Sequence, residues 1–281
     1  MELEKYNRVR KRLKEHLDEA LQNPKIHDWF MIAVNGSYNY DMDTPQSDID
    51  SKLLVIPSLE QLVSGKSLNY LHCMSDNDEH VEVKDIRHYF TTMLKQNINF
   101  VETLYAQVWI VNPVYLRLFH YLFDMRDVIS GCNPLATIHC IQGTAHQKYK
   151  QMLESSPARE VDIQKWGYDR KSFHHLLRCC LFRIRFMQGT DYQECLLNTE
   201  FPVKKQCLIS IKSVRNTTGK EMAIESAEYA LDTLDKKVEN YLAAIEPLKS
   251  EISTLAADVK DFLNSLAYEI IRQSIAKEYN G

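Results

Sequence analysis

Asn35-Gly-Ser-Tyr-Asn-Tyr-Asp-Met-Asp-Thr-Pro-Gln-Ser-Asp-Ile-Asp50 lies between two short apolar runs, Trp29-Phe-Met-Ile-Ala-Val34 before it and Ser51-Lys-Leu-Leu-Val-Ile56 after it. Each run has the length and the bounding turn residues of a buried strand, the first stopped by Asn35-Gly36 and the second by Pro57. A strand, a Gly-Ser turn and an Asp-x-Asp entering a second strand have a direct physical reading. Gly36 lets the backbone approach a ligand closely, and Ser37 offers its hydroxyl and N–H to phosphate oxygens at the start of a short helix. Asp48 and Asp50, two apart on an extended chain, project to one face. Carboxylates so close repel, and a divalent cation relieves the repulsion; Mg²⁺ is typically held by one or two carboxylates together with substrate phosphates. The competing reading is that the same residues only close a turn before a strand, since Asp and Ser are turn formers.

Outward from this stretch, His80 to Ile86 alternates as a third strand. Glu82, flanked by Val81 and Val83, is the candidate third carboxylate of a two-metal site, with Asp85 on the opposite face as the reserve. Residues 2–22 carry Leu3, Tyr6, Leu13, Leu17 and Leu21 at helical spacing, a helix that Pro24 terminates. Residues 59–79 read as loop. Beyond Ile86 the pattern is helical, with one helix around Phe90, Met93 and Leu94, another from Phe100 to Val108, and breaks at Pro113 and Gly131 to Pro134. Two long amphipathic helices, roughly 220–245 and 248–278, close the chain. The expected class is α+β, a small mixed-sheet unit over 1–115 followed by an all-helical domain over 116–281.

The 281 residues, 44% hydrophobic and 26% charged, suit one large or two modest globular domains and exclude disorder, collagen and a coiled-coil rod. Apolar runs fall far short of the roughly 20 residues of a bilayer span, so no membrane segment is expected. The N-terminus alternates acids and bases without an apolar core, which predicts no secretory signal and a cytoplasmic location. Seven cysteines, never spaced CxxC, read as reduced and mostly buried thiols. The net charge of −4 hides segregation: residues 165–220 hold eleven Lys or Arg against four acids, while residues 76–85 hold five acids against Lys84.

The stretch from Gly36 to Asp50 resembles the GS…DxD signature of the DNA polymerase beta nucleotidyltransferase superfamily. More narrowly it is similar to the RNA-repair-associated (RlaP-like) predicted nucleotidyltransferases, with GS-x-x-YG-x-x-T-x-x-SD-x-D, then a KxNPNxxExL helix, then GYDxKxxxHxxRL. The chain has Lys95-Gln-Asn-Ile-Asn-Phe-Val-Glu-Thr-Leu104 and Gly167-Tyr-Asp-Arg-Lys-Ser-Phe-His-His-Leu-Leu-Arg178 in the corresponding order, so the resemblance covers roughly residues 30–220. Asp41 stands where that family has Gly, and Ile98 where it has Pro. The resemblance implies a polymerase-beta-like nucleotidyltransferase core, an NTP substrate, Mg²⁺ or Mn²⁺ on Asp48, Asp50 and Glu82, and nucleotide contacts from Gly36, Ser37, Thr44 and Ser47.

Around Phe173, at 100° per residue, the apolar positions 173, 176, 177, 180, 184 and 187 fall within about 60° of one line. Lys171, His175, Arg178 and Arg185 fall opposite, a ridge of cations suited to a triphosphate, or simply a solvated face. Phe182 and His174 read as packing residues, and Glu102 as a capping or pairing acid. The C-terminal helices, with Ala227, Leu231, Leu234 and Val238 in register, offer a bundle surface or one on which two copies pair.

The expected activity is therefore metal-dependent transfer of a nucleoside monophosphate to an acceptor hydroxyl, on an RNA end or on a protein. A silent nucleotide- or RNA-binding module is the alternative.

Overall fold

The computed structural model describes residues 1–44, 47–197, 202–212 and 218–280, with side chains for all of these but 202–205, 212 and 280. Of the basic segment expected from charge counting, Arg215 lies outside the described residues, as do the side chains of Lys204, Lys205 and Lys212. Contacts divide the chain into a first unit, 1–132 with 254–281, and a second, 133–253.

The first unit runs α1 (Leu3–Ala20), β1 (Asp28–Asn35), a 3-10 turn (Gly36–Tyr38), β2 (Asp50–Ile56), α2 (Leu59–Val63), β3 (Asn69–Cys73) and β4 (His80–Asp85). It continues through α3 (Ile86–Leu94), α4 (Ile98–Val101), a second 3-10 turn (Glu102–Tyr105), β5 (Trp109–Val111), α5 (Leu116–Asp124) and α6 (Arg126–Gly131). The five strands form one mixed sheet in the order β3-β4-β2-β1-β5, with only β2 and β4 parallel. The central strands β1 and β2 are buried almost throughout, as strands covered on both faces must be, whereas β4 alternates. One covering layer is α1, whose Val9, Leu13, Leu17 and Ala20 join Ile32, Val34, Leu53, Val55, Val81 and Val83 in one core. The fold is α+β, as expected.

Three departures from the expected elements have local causes. Residues 59–79 contain α2, opened by a Ser58/Gln61 capping box, and the edge strand β3, which is exposed at every second residue and so lacks an apolar signature. The expected helix from Phe100 to Val108 is one short turn plus a 3-10 turn, followed by the three-residue β5. Aromatic packing brings α5 into the first unit: Phe119 meets Phe30 at 6.4 Å and Trp109 at 6.0 Å, while Phe123 meets Trp109 at 5.5 Å. The chain's last residues join the same unit because Ser274 and Lys277 donate to Asp28 at 3.1 and 3.2 Å.

The second unit is helical: α7 (Pro134–Leu153), α8 (Glu160–Trp166), α9 (Arg170–Met187), α10 (Tyr192–Leu197), α11 (Pro202–Lys212) and α12 (Lys220–Ile245), with α13 (Lys249–Asn280) beginning in it. Helix α9 is its axis, packed by α7, α10, α11 and α12. No helix among the described residues is long and apolar enough to cross a membrane.

Candidate functional site

Gly36 leaves β1 at φ +70°, a conformation that costs a side-chain-bearing residue but not glycine. The β1/β2 register sets Asn35 opposite Asp50, so the turn begins directly across from the second aspartate. A Cβ built on Gly36 would lie 3.9 Å from Asp50 Oδ2, which puts backbone and carboxylate side by side. Ile49 is buried between an exposed Asp48 and a partly exposed Asp50, so burial alternates as it does along an extended chain. Asp50 Oδ1 accepts the His80 N–H at 3.2 Å, tying it to the start of β4.

The loop that follows is anchored on two sides. Lys5 of α1 pairs with Asp41 at 2.9 Å and with Asp43, and Arg8 donates to the Tyr38 hydroxyl at 3.2 Å. Asn39 Oδ1 accepts the Gln107 N–H at 3.1 Å, and the Tyr40 hydroxyl donates to the buried Glu102 carboxylate. Glu102, at the end of α4, thus accepts from a phenol. Asp41, standing where the resembling family has Gly, sits at φ +54°: the loop needs a left-handed residue there, and aspartate supplies it. Thr44 and Ser47 turn toward each other, Ser47 Oγ accepting the Thr44 N–H at 2.9 Å with the two hydroxyls 3.2 Å apart. Pro45 and Gln46 lie outside the described residues.

A clamp that no motif signals holds the Asp-x-Asp segment. Glu79 Oε1 accepts the Ile49 N–H at 2.9 Å, and its other oxygen accepts from Arg12, from His16 at 3.1 Å and from Asn77 at 3.1 Å. Burial works to raise the Glu79 carboxyl, but the Arg12 guanidinium and these hydrogen bonds outweigh it and hold it below the usual carboxylate range. His16 is completely buried; burial, opposed by Glu79, lowers its pKa, so near neutral pH it is an uncharged imidazole. Its Nε2–H then donates to Glu79, and its Nδ1 accepts from Ser51 Oγ at 2.8 Å. Arg12 and His16 are one turn apart on α1, so their spacing hints at a shared face, but nothing in it names Glu79 as the partner.

Glu82, the expected third carboxylate, is one strand over and otherwise engaged. The β2/β4 register pairs it with Lys52, whose Nζ lies 3.2 Å from Oε2, while Lys84 Nζ lies 3.1 Å from Oε1. Burial would raise its carboxyl, and the two ammonium groups outweigh that and hold it low. Among the described residues no group of three or more His, Cys, Asp or Glu is placed to hold a metal ion. The pair Asp48 and Asp50 fits one hard divalent cation by its chemistry; Glu82, neutralised by two lysines, does not fit as a third ligand.

The expected cationic ridge on α9 is corrected. Arg178 is 5% exposed and Arg185 1%, because α9 is surrounded by helices and its charged side is covered as well. Arg185 donates to the Glu194 carbonyl and the equally buried Arg183 to Asp235 at 3.0 Å. Burial, reinforced by the Arg178 cation, lowers the His175 pKa well below its ordinary value, so it carries no charge near neutral pH. Lys171 alone of Lys171, His175 and Arg178 is exposed. His174 donates through Nδ1–H to the Leu208 carbonyl oxygen at 2.8 Å, and Phe182 packs on Tyr192 at 4.9 Å, both packing roles as expected.

No protein-family model matches the chain, and no curated protein matches it. Among solved structures it is similar to the crystal structure of a nucleotidyltransferase-like protein from Exiguobacterium sibiricum 255-15, at 14% identity and a TM-score of 0.36, over 94% of this chain and 91% of that one.

Proposed function

We propose that this chain is a nucleotidyltransferase: an acceptor hydroxyl attacks the α-phosphorus of an NTP, pyrophosphate leaves, and the nucleoside monophosphate stays on the acceptor. The observation that carries the reading is the meeting of a left-handed Gly36-Ser37 turn with the Asp50 carboxylate at one end of paired strands, Asp48 two residues away. Asp48 and Asp50 would hold one Mg²⁺ or Mn²⁺, which when bound neutralises phosphate charge. The Ser37 hydroxyl and the backbone of the turn bind phosphate oxygens, and the absence of a Cβ at Gly36 lets those oxygens come close. One of the two carboxylates takes the proton of the acceptor hydroxyl. The Glu79 clamp keeps Ile49, and with it both aspartates, in place before substrate arrives.

The resemblance makes an RNA end the first acceptor to test and a protein hydroxyl the second. Incubation with each α-³²P-labelled NTP, Mg²⁺ or Mn²⁺, RNA oligonucleotides and cell-extract proteins should label one pool. The label should vanish in Asp48→Asn/Asp50→Asn; labelling by that variant would sink the assignment. The lysine-bound state of Glu82 favours a second reading, a silent nucleotide-binding module. Nucleotide binding that is indifferent to Mg²⁺, without transfer to any acceptor, would select it.

A further inference from the structure

The site described above departs from a three-carboxylate, two-metal arrangement at Glu82, which is present but paired with two lysines. Lys52 lies two residues beyond Asp50 on β2, about 7 Å along the strand and on the same face. Its side chain has 0% exposure. The ammonium is enclosed by Glu82 Oε2 at 3.2 Å, the Asn99 carbonyl oxygen, and the face of the Phe100 ring 4.3 Å from its centroid. A ring face and a carbonyl oxygen are both partners for a cation, so the pocket is built for positive charge on every side that is seen. Lys84 closes the other oxygen of Glu82 and lies 6.0 Å from the same ring. A divalent ion bound to Glu82 at the usual distance of about 2.0–2.1 Å would sit against the fully buried Lys52 ammonium.

We propose that the chain holds a single divalent cation, on Asp48 and Asp50, and that the Lys52 ammonium stands against Glu82 as a built-in second cation. The inference rests on the nucleotidyltransferase reading and specifies its metal requirement. Lys52 is a positioning residue: it fixes Glu82 and supplies permanent positive charge on the sheet face that carries Asp50. It also makes the amount of metal bound a property of the polypeptide, since no change in metal concentration displaces a covalently attached ammonium.

The test is a Mn²⁺ titration of the full chain, with free Mn²⁺ followed by its electron paramagnetic resonance signal. One ion per chain is expected, lost in Asp48→Asn/Asp50→Asn and retained in Glu82→Gln with affinity within about twofold. Two ions in the wild type, or one that disappears in Glu82→Gln, would overturn the inference while leaving the transferase reading intact. No bound ion in the wild type would overturn both. If Glu82→Gln does not fold, Lys52→Met carries the test, because it frees Glu82 of its buried ammonium: a second ion gained there is expected, and a count unchanged at one would overturn the role given to Lys52.

Discussion

Replacing Glu79 by Ala should destabilise the first unit by about 2–4 kcal/mol, although the residue belongs to no recognisable motif. The figure comes from its partners. The Ile49 N–H, in a buried segment, loses its acceptor, which costs about 1–3 kcal/mol for an unsatisfied buried donor. Arg12 keeps Asp76 at 2.7 Å and Glu15 at 2.7 Å, so the lost ion pair contributes only about 1 kcal/mol. His16 keeps Ser51 at Nδ1 but its buried Nε2–H loses its acceptor, which places the loss toward the upper end of that range. The measurement is urea denaturation of Glu79→Ala in a Trp166→Phe background, where emission comes from Trp29 and Trp109 of the first unit. Asp76→Ala, which removes an exposed partner of the same arginine, should cost far less. A Glu79→Ala loss no larger than that would refute the clamp and reduce Glu79 to a surface acid. Faster amide hydrogen exchange at Ile49 is the local signature, and transfer activity should fall with it.

Two left-handed positions make a contrasting pair: Gly36→Ala should cost about 1–2 kcal/mol from backbone strain alone, since the new Cβ would meet Asp50 only at 3.9 Å, an ordinary contact. Asp41→Gly should leave stability unchanged or raise it by up to about 1 kcal/mol in thermal unfolding, because Lys5 retains Asp43; a larger loss would mean the loop depends on the ion pair. For acid, the lowered pKa of His16 means the unfolded chain binds a proton that the folded one refuses, so stability falls as pH drops below about 6.5, at up to about 1.4 kcal/mol per unit. His175 adds in the same sense, and Glu79 and Glu82, held low when folded, lose their contribution only below about pH 4.5. His16→Gln should flatten the dependence of the urea midpoint on pH below about 6.5, and an unchanged slope would show that the folded protein does not lower the His16 pKa.

Periodicity and turn chemistry sufficed for the elements whose side chains report their own environment. The apolar runs at Trp29–Val34 and Ser51–Ile56 became β1 and β2, the alternation at His80–Ile86 became β4, and the long amphipathic stretches became α12 and α13. The Gly36-Ser37 turn and the neighbouring aspartates were legible for the same reason: a left-handed glycine and paired acids are local requirements, stated in residue types at short spacing. The edge strand β3 and the three-residue β5 were not legible, since pairing with a neighbour, not pattern, makes them strands. Nor was the environment of α9, whose apparent two-faced pattern depends on how many helices surround it. What only the tertiary structure decided is which charges meet. Glu79 finds Ile49, Arg12 and His16 across 30, 67 and 63 residues, and Glu82 finds Lys52 through strand register. A carboxylate reads the same in sequence whether it faces a metal or an ammonium; its role is set by the cation that folding brings to it, because Coulomb energy depends on distance in space.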